Sequence, residues 1–185
     1  MFKVSRQIGL LFMACLAACP AQRLKADEPR DSNPLESLSR FVGGAWVTRS
    51  DASESNDSHF RVRVIYEWGI NHKLMKVKSF LTGEKGEQLV YESFFFWHPG
   101  NKKLEFYSIS IDGSIFEGST EARQNTYESV FDSISADKKS TFKQTLTFLD
   151  DDTLQWTVFS KKDGDWAKMI DAKEYRVRDG AAVKP

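Results

Sequence analysis

Hydrophobic and polar residues alternate with a period of two along most of the chain after residue 44. The stretch 60–68 is the clearest case, because Phe60, Val62, Val64, Tyr66 and Trp68 fall on one face and Arg61, Arg63 and Glu67 on the other. Such alternation predicts β-strands that bury one face. Ten strands are predicted in this way, over residues 45–49, 60–68, 73–81, 89–97, 104–110, 115–120, 126–134, 141–149, 154–160 and 166–177.

Short segments rich in turn-forming residues join the predicted strands. His98-Pro99-Gly100-Asn101 is a strong turn signal, and Asp112-Gly113 is a typical hairpin dipeptide. Parallel strands would need crossovers of about a dozen residues, so these connections predict an antiparallel meander. Closing such a sheet removes its two unpaired edges. We therefore predict an all-β fold, an up-and-down barrel of about ten antiparallel strands, with a two-sheet sandwich as the alternative.

One short helix is predicted before the first strand. Asn33 is suited to the N-cap and Pro34 to the first helical position. Apolar residues follow at helical spacing, namely Leu35, Leu38, Phe41 and Val42. Gly43-Gly44 then ends the helix.

The first residues have the pattern of an export signal. Lys3 and Arg6 precede an uncharged apolar run over 8–19, which is too short for a transmembrane helix and suited to a signal-peptide core. The run ends in Leu16-Ala17-Ala18-Cys19, which resembles the lipobox of bacterial lipoproteins and implies lipidation at Cys19. Cleavage after Ala26 is the alternative. We expect a signal peptide over 1–19, a flexible tether over 20–33 and a barrel domain over 34–180, located in the cell envelope or secreted.

Charge and cysteine content exclude several classes. The chain has 26 basic and 26 acidic side chains, so it offers no basic surface for nucleic acid. Both cysteines, Cys15 and Cys19, lie in the predicted leader, so the mature domain contains no disulfide. Charged residues such as Lys76, Lys143 and Lys168 interrupt the strands, which disfavours an outer-membrane barrel. Any membrane association is therefore expected through a lipid on Cys19.

Two segments resemble a known family. Gly44-Ala45-Trp46 follows the predicted helix directly, and Tyr175-Arg176-Val177-Arg178 ends the last predicted strand. Over residues 35–178 this combination resembles lipocalin-like (calycin) barrels, in which the Trp closes the barrel floor and an Arg packs over it. The resemblance implies that Trp46 forms the floor and that Arg176 or Arg178 covers it. The runs 66–80 and 89–119 resemble secreted bacterial lipocalin-like domains that have no assigned activity.

Haem-binding and metal-binding chemistry are not expected. Nitrobindin-like haem barrels carry Gly-x-Trp-x-Gly-x-Gly and a His near the C-terminus, whereas Trp46 is followed here by Val47-Thr48-Arg49 and no His occurs after His98. The three histidines His59, His72 and His98 lack the paired spacing of a zinc site. We predict no cofactor, no metal and no catalytic residue.

The aromatic residues indicate a binding function. Strand parity groups a set of aromatic and polar residues on one face, and we predict that they bind a ligand: Trp46, Tyr66, Tyr91, Phe95, Tyr107, Phe131, Gln144, Trp156 and Arg176. The prediction is non-catalytic binding or carriage of a small, partly apolar molecule. One alternative is a barrel hydrolase or isomerase that uses inward Tyr and Glu residues. The other is a structural envelope lipoprotein without a ligand. The oligomeric state is left open.

Overall fold

Ten antiparallel strands form a closed barrel in the computed structural model, which describes residues 33–48 and 61–178. The strands are β1 Ala45–Thr48, β2 Arg61–Gly69, β3 Leu74–Gly83, β4 Gly86–His98, β5 Lys103–Ser110, β6 Ile115–Arg123, β7 Thr126–Ile134, β8 Lys139–Phe148, β9 Thr153–Lys162 and β10 Asp165–Val177. Each of the ten predicted strands is found. The predictions for Cys19, Ala26 and His59 lie outside the described residues.

The strands follow one another around the ring in chain order. Each strand pairs with its neighbours in sequence, and β1 pairs with β10 to close the barrel. The up-and-down barrel is therefore confirmed, and the two-sheet sandwich is wrong. The register shifts where β3 meets β4 at Ser79–Phe80 and where β10 meets β9 at Lys168–Ile170. Bulges of this kind bend and twist a strand locally, as closure of a barrel requires.

A 3₁₀ helix, Pro34–Phe41, precedes β1 and has the predicted N-cap. The Asn33 side-chain oxygen accepts a hydrogen bond from the Leu35 amide at 3.3 Å. Leu35, Leu38 and Phe41 recur every third residue, which matches the three-residue turn of a 3₁₀ helix, and all three are buried. The predicted short helix is thus confirmed. Among the described residues, no helix has the length and apolar character needed to span a membrane.

The helix packs across one end of the barrel, which we call the floor. The Phe41 ring lies 4.7 Å from the Tyr66 ring and 4.9 Å from the Phe148 ring, measured between centroids. Trp46 is fully buried beside them, and its indole nitrogen donates to the Phe41 carbonyl at 2.9 Å. The aromatic side chains of the helix and of β1 therefore close this end together.

Arg176, on β10, covers Trp46 and joins the last strand to the chain that leaves the helix. Its guanidinium carbon lies 4.4 Å from the centre of the Trp46 ring. The guanidinium donates to the Val42 carbonyl at 2.8 Å and to the Arg40 carbonyl at 2.5 Å. Its Nε also lies 3.1 Å from a carboxylate oxygen of Asp152. The arginine over the floor tryptophan is therefore Arg176.

Replacing Arg176 with Lys is expected to lower the free energy of unfolding by about 2 kcal/mol, because lysine cannot donate to both carbonyls in a planar fork. Arg178→Lys is the matched control, since Arg178 is mostly exposed and pairs with Asp152 at 2.7 Å. An exposed pair contributes less than about 1 kcal/mol. Urea unfolding followed by circular dichroism measures both variants. Equal losses would contradict the role of Arg176 in the floor.

Candidate functional site

Strand pairing determines which side chains face the inside of the barrel, because residues directly opposite each other project from the same face. Trp46 lies opposite Val64 on β2 and opposite Arg176 on β10. The pairs that follow around the ring place eight predicted residues on this inner face: Trp46, Tyr66, Tyr91, Phe95, Phe131, Gln144, Trp156 and Arg176. Their role in binding stays a prediction.

Tyr107 lies on the outer face, so its assignment to the interior set is wrong. It pairs with Phe94 on β4 and with Glu117 on β6, whereas Phe106 takes the inner position between Phe95 and Gly118. Phe106 is buried and Tyr107 only partly so. Because aromatic residues occupy both parities of β5, hydrophobicity alone could not determine which of them faces inward.

The inner face has a filled half and a partly open half. Near the floor its side chains are buried, and Trp46, Met75 and Leu154 are completely inaccessible to solvent. Toward the opposite end the inner side chains keep partial exposure, which in a closed barrel reflects space inside it. We call this second region the cup, and its lining includes Ser79, Ser93, Phe116, Phe131, Phe142, Val158, Ser160 and Ala172.

Aromatic rings cover one wall of the cup, on β4 to β8. The rings lie in successive contact, with centroid distances of 5.5 Å for Tyr91–Phe116, 6.2 Å for Phe116–Phe131, 5.4 Å for Phe131–Phe106, 5.3 Å for Phe106–Phe95 and 5.7 Å for Phe131–Phe142. Edge-to-face and offset-stacked contacts of this kind are favourable beyond the area that they bury. The wall is therefore a continuous apolar surface.

Gly118 provides the space that Phe131 occupies on this wall. A Cβ at Gly118 would lie 2.6 Å from the Phe131 Cβ and 2.2 Å from the Val130 carbonyl oxygen. The register across β6 is continuous at this point, so no bulge is present. The glycine therefore marks a close approach between two strands, which is one of the usual roles of glycine within a strand.

A few polar groups lie among the apolar side chains of the interior. The Trp156 indole nitrogen donates to the Gln144 side-chain oxygen at 3.3 Å. Ser93 donates to Ser108 at 2.8 Å. The Ser160 hydroxyl is buried without a hydrogen-bond partner in the described part of the chain. The cup thus combines an apolar wall with a small number of polar positions, as ligand pockets do.

Glu174 is a buried charged group at the boundary between the filled half and the cup, one inner position from Ala172 on β10. It lies on β10 between Thr48 and Leu154, is only 3% exposed, and its Oε2 has no hydrogen-bond partner among the described residues. Burial raises the pKa of its carboxyl group to about 7. Tyr66 faces it from β2, and burial, together with the charge of Glu174, raises the pKa of this phenol well above its usual value.

Glu174 is not among the residues predicted from the sequence to line the interior. Glu92, Glu105, Glu117 and Asp171 lie on the outer face, where their strand partners also point outward. Glu174 is two residues from Arg176, so the parity that placed Arg176 inside also places Glu174 inside. That signal was present in the sequence, but a carboxylate is an unfavourable choice for an interior position.

The other chemical candidates lie away from the cup. His72 lies in the segment between β2 and β3, and His98 is the last residue of β4, both at the floor end; the His72 ring stacks on Trp68. The described residues contain no group of three metal-ligating side chains. A groove of about 680 Å³ crosses the outer surface beside Tyr107 and Asp132, and it is bordered by charged side chains of both signs. We favour the cup because it is enclosed by the barrel wall.

No family model matches the chain, and no curated protein matches it. The crystal structure of Rv2717c from M. tuberculosis has a similar fold, with a TM-score of 0.53 over 78% of this chain and 97% of that chain. The two sequences are 12% identical over the aligned region. At this identity the likeness shows a shared barrel fold and nothing further.

We predict that Glu174 makes the folded state less stable as the pH rises. Its pKa is about 7 when folded and near the ordinary 4.5 when unfolded, so the folded state binds the proton more tightly. Stability is therefore lost between about pH 4.5 and pH 7, by on the order of 3 kcal/mol. Glu174→Gln should abolish this loss and be more stable than the wild type at pH 8. Urea unfolding across the pH range measures the difference.

Asp171→Asn is the control for this titration. Asp171 lies on the outer face of the same strand, and its hydrogen bond to Lys168 holds the pKa of the carboxyl below its usual value. Its contribution is lost only in more acidic solution, so this variant should keep the wild-type slope between pH 4.5 and pH 8. An identical slope in the wild type and in Glu174→Gln would show that Glu174 is not the group responsible.

Proposed function

We propose that this protein is an exported, lipocalin-like domain that binds or carries a small, partly apolar molecule in the cup. The observation that carries the proposal is a difference in burial within one barrel. The side chains at the floor are buried, whereas those of the aromatic-lined cup are partly exposed. A concave, mostly apolar surface with a few fixed polar groups is the usual form of a small-molecule site.

The floor supports the lipocalin-like part of the proposal. Gly44-x-Trp46 follows a short helix, and Arg176 covers the Trp46 ring at 4.4 Å. These three features, with the meander, prompted the resemblance to lipocalin-like barrels, and the contact between Arg176 and Trp46 supports the proposal. The likeness to Rv2717c adds the barrel fold and contributes no ligand.

A binding role is better supported than the catalytic alternative. A barrel hydrolase or isomerase would use inward Tyr and Glu residues, and Tyr66 and Glu174 are of these types. Many acid–base sites pair two carboxylates or a carboxylate with a histidine. Apart from Asp165 at the rim, Glu174 is the one carboxylate on the inner face of the described strands, and neither described histidine faces inward.

Filling the cup should abolish binding. Ala172 faces the cup opposite Trp156 and two residues before Glu174, so Ala172→Phe is expected to reduce the affinity for the neutral fluorescent probe N-phenyl-1-naphthylamine at least tenfold. Lys173→Phe adds the same ring to the next residue, on the outer face, and should leave the affinity unchanged. Probe fluorescence titration measures both variants after circular dichroism has shown that they fold.

A companion measurement identifies the natural ligand. Native mass spectrometry of the protein purified from its own host should show a small molecule that is retained by Lys173→Phe and absent from Ala172→Phe. If the wild type binds neither the probe nor a co-purifying molecule, the proposed binding function is wrong. The alternative hypothesis of a structural envelope lipoprotein without a ligand would then gain support.

We also propose that export ends in lipidation of Cys19, on the evidence of Lys3, Arg6 and Leu16-Ala17-Ala18-Cys19. In a Gram-negative expression host the wild type should enter the membrane fraction and incorporate an alkyne-labelled fatty acid. Cys19→Ala should lose both properties, whereas Cys15→Ala should keep them. A soluble, unlabelled wild type whose intact mass corresponds to cleavage after Ala26 would refute lipidation and support the alternative site.

A further inference from the structure

We propose that the cup selects small molecules that carry a protonated amine on an aromatic or aliphatic body, and that the Glu174 carboxylate binds the ammonium group. This inference rests on the proposed binding function and specifies its ligand class. The observations behind it are the unpartnered oxygen of Glu174, the absence of a balancing cation beside it among the described residues, and the aromatic wall across the barrel.

Glu174 has an unused capacity to accept hydrogen bonds. Its side-chain Oε2 is inaccessible to solvent and unpartnered within the described ranges, and the residue is 3% exposed. A buried polar group without a partner costs about 1–3 kcal/mol, and more when it is charged. Its strand neighbours Thr48 and Leu154 offer no positive charge, and the Thr48 hydroxyl is engaged with the amide and carbonyl of Val62. A ligand that supplies a donor or a cation would remove this cost.

None of the described charged or titratable groups near Glu174 supplies a cation that pairs with its carboxylate. Arg176 lies on the same strand and face, but its guanidinium is committed to the carbonyls of Arg40 and Val42 and to Asp152. Tyr66 faces Glu174 from β2, and its raised pKa keeps the phenol neutral at physiological pH. A carboxylate in this position repels anionic ligands, so an acyl anion is disfavoured and a cation is favoured.

The ring order places the aromatic wall across from Glu174. In a ring of ten strands β5 is the fifth strand from β10 in either direction, so it lies diametrically opposite. β5 contributes Phe106, and its neighbours contribute Phe95 and Phe116. Aromatic faces bind an apolar body by burial and attract a nearby cation through their quadrupole. A ligand with one ammonium end and one apolar end therefore matches both walls.

Because amine binding depends on the ionisation of Glu174, the pH dependence of the affinity tests this proposal without a mutation. Binding of an ammonium needs the ionised carboxylate, and with a pKa of about 7 only a minority of Glu174 is ionised at pH 6. A primary alkylamine stays protonated over this range, as a lysine side chain does. The affinity for an amine should therefore increase about tenfold from pH 6 to pH 8, whereas the affinity for the corresponding alcohol should not.

The test compares tryptamine with tryptophol, and phenethylamine with 2-phenylethanol, by isothermal titration calorimetry at pH 6 and pH 8. Each pair shares its aromatic body and differs only in the amine or hydroxyl. At pH 8 the wild type should bind each amine at least tenfold more tightly than its alcohol. Glu174→Gln should lose this preference and the pH dependence while it keeps its affinity for the alcohols. Asp171→Asn, which removes a carboxylate from the outer face of the same strand, should behave as the wild type.

The outcomes separate this inference from the function on which it rests. Equal affinities for amines and alcohols, or an amine preference that survives in Glu174→Gln, would overturn the inference and leave the cup as a binding site. If N-phenyl-1-naphthylamine and all four compounds fail to bind the wild type, the proposed function fails and the inference fails with it. Thermal unfolding of Glu174→Gln at pH 8 shows whether a lost preference reflects the carboxylate or a misfolded protein.

Discussion

The contact between Arg176 and Trp46 is the interaction on which closure of this barrel depends. β1 has four residues in the described part of the chain, where its pairing with β2 reaches Val47, and the Thr48 hydroxyl accepts a hydrogen bond from the Val62 amide at 2.7 Å. The described part of β1 forms four residue pairs with β10 where the first and last strands meet. The Arg176 side chain adds hydrogen bonds to the chain that precedes β1 and covers the Trp46 ring, so the same group holds the seam and the floor.

The filled floor also explains why the rest of the interior keeps space. An eight-stranded barrel is about filled by its own side chains, and ten strands enclose more volume. The 3₁₀ helix and the rings of Trp46 and Phe148 fill one end of that volume. In the cup, small residues such as Ser93, Ser160 and Ala172 alternate around the ring with larger ones and fill less of it. Strand number and side-chain size together therefore produce the cup without any special loop.

The strands could be predicted from the sequence because hydrophobic and polar residues alternate with a period of two whether the barrel is filled or hollow. The helix could be predicted because Leu35, Leu38 and Phe41 lie on one side of it. It could not determine the phase of β5, where Phe106 and Tyr107 are adjacent aromatics, and so Tyr107 was placed inside incorrectly. Glu174 was missed for a different reason. Parity with Arg176 puts it inside, but a ranking of inner positions by hydrophobicity passes over a carboxylate.

The position of Glu174 is difficult to explain by stability alone. A leucine between Thr48 and Leu154 would bury apolar surface there, whereas the carboxyl group loses its hydration and gains no partner within the described residues. Residues that break a local rule without a compensating contact occur mainly at functional sites. The interior is moreover asymmetric, since the acid lies on β10 and the continuous wall of contacting aromatic rings lies on β4 to β8. A molecule bound between these walls would be held in one orientation, with its polar end at Glu174, and an interior without the acid would not impose this orientation.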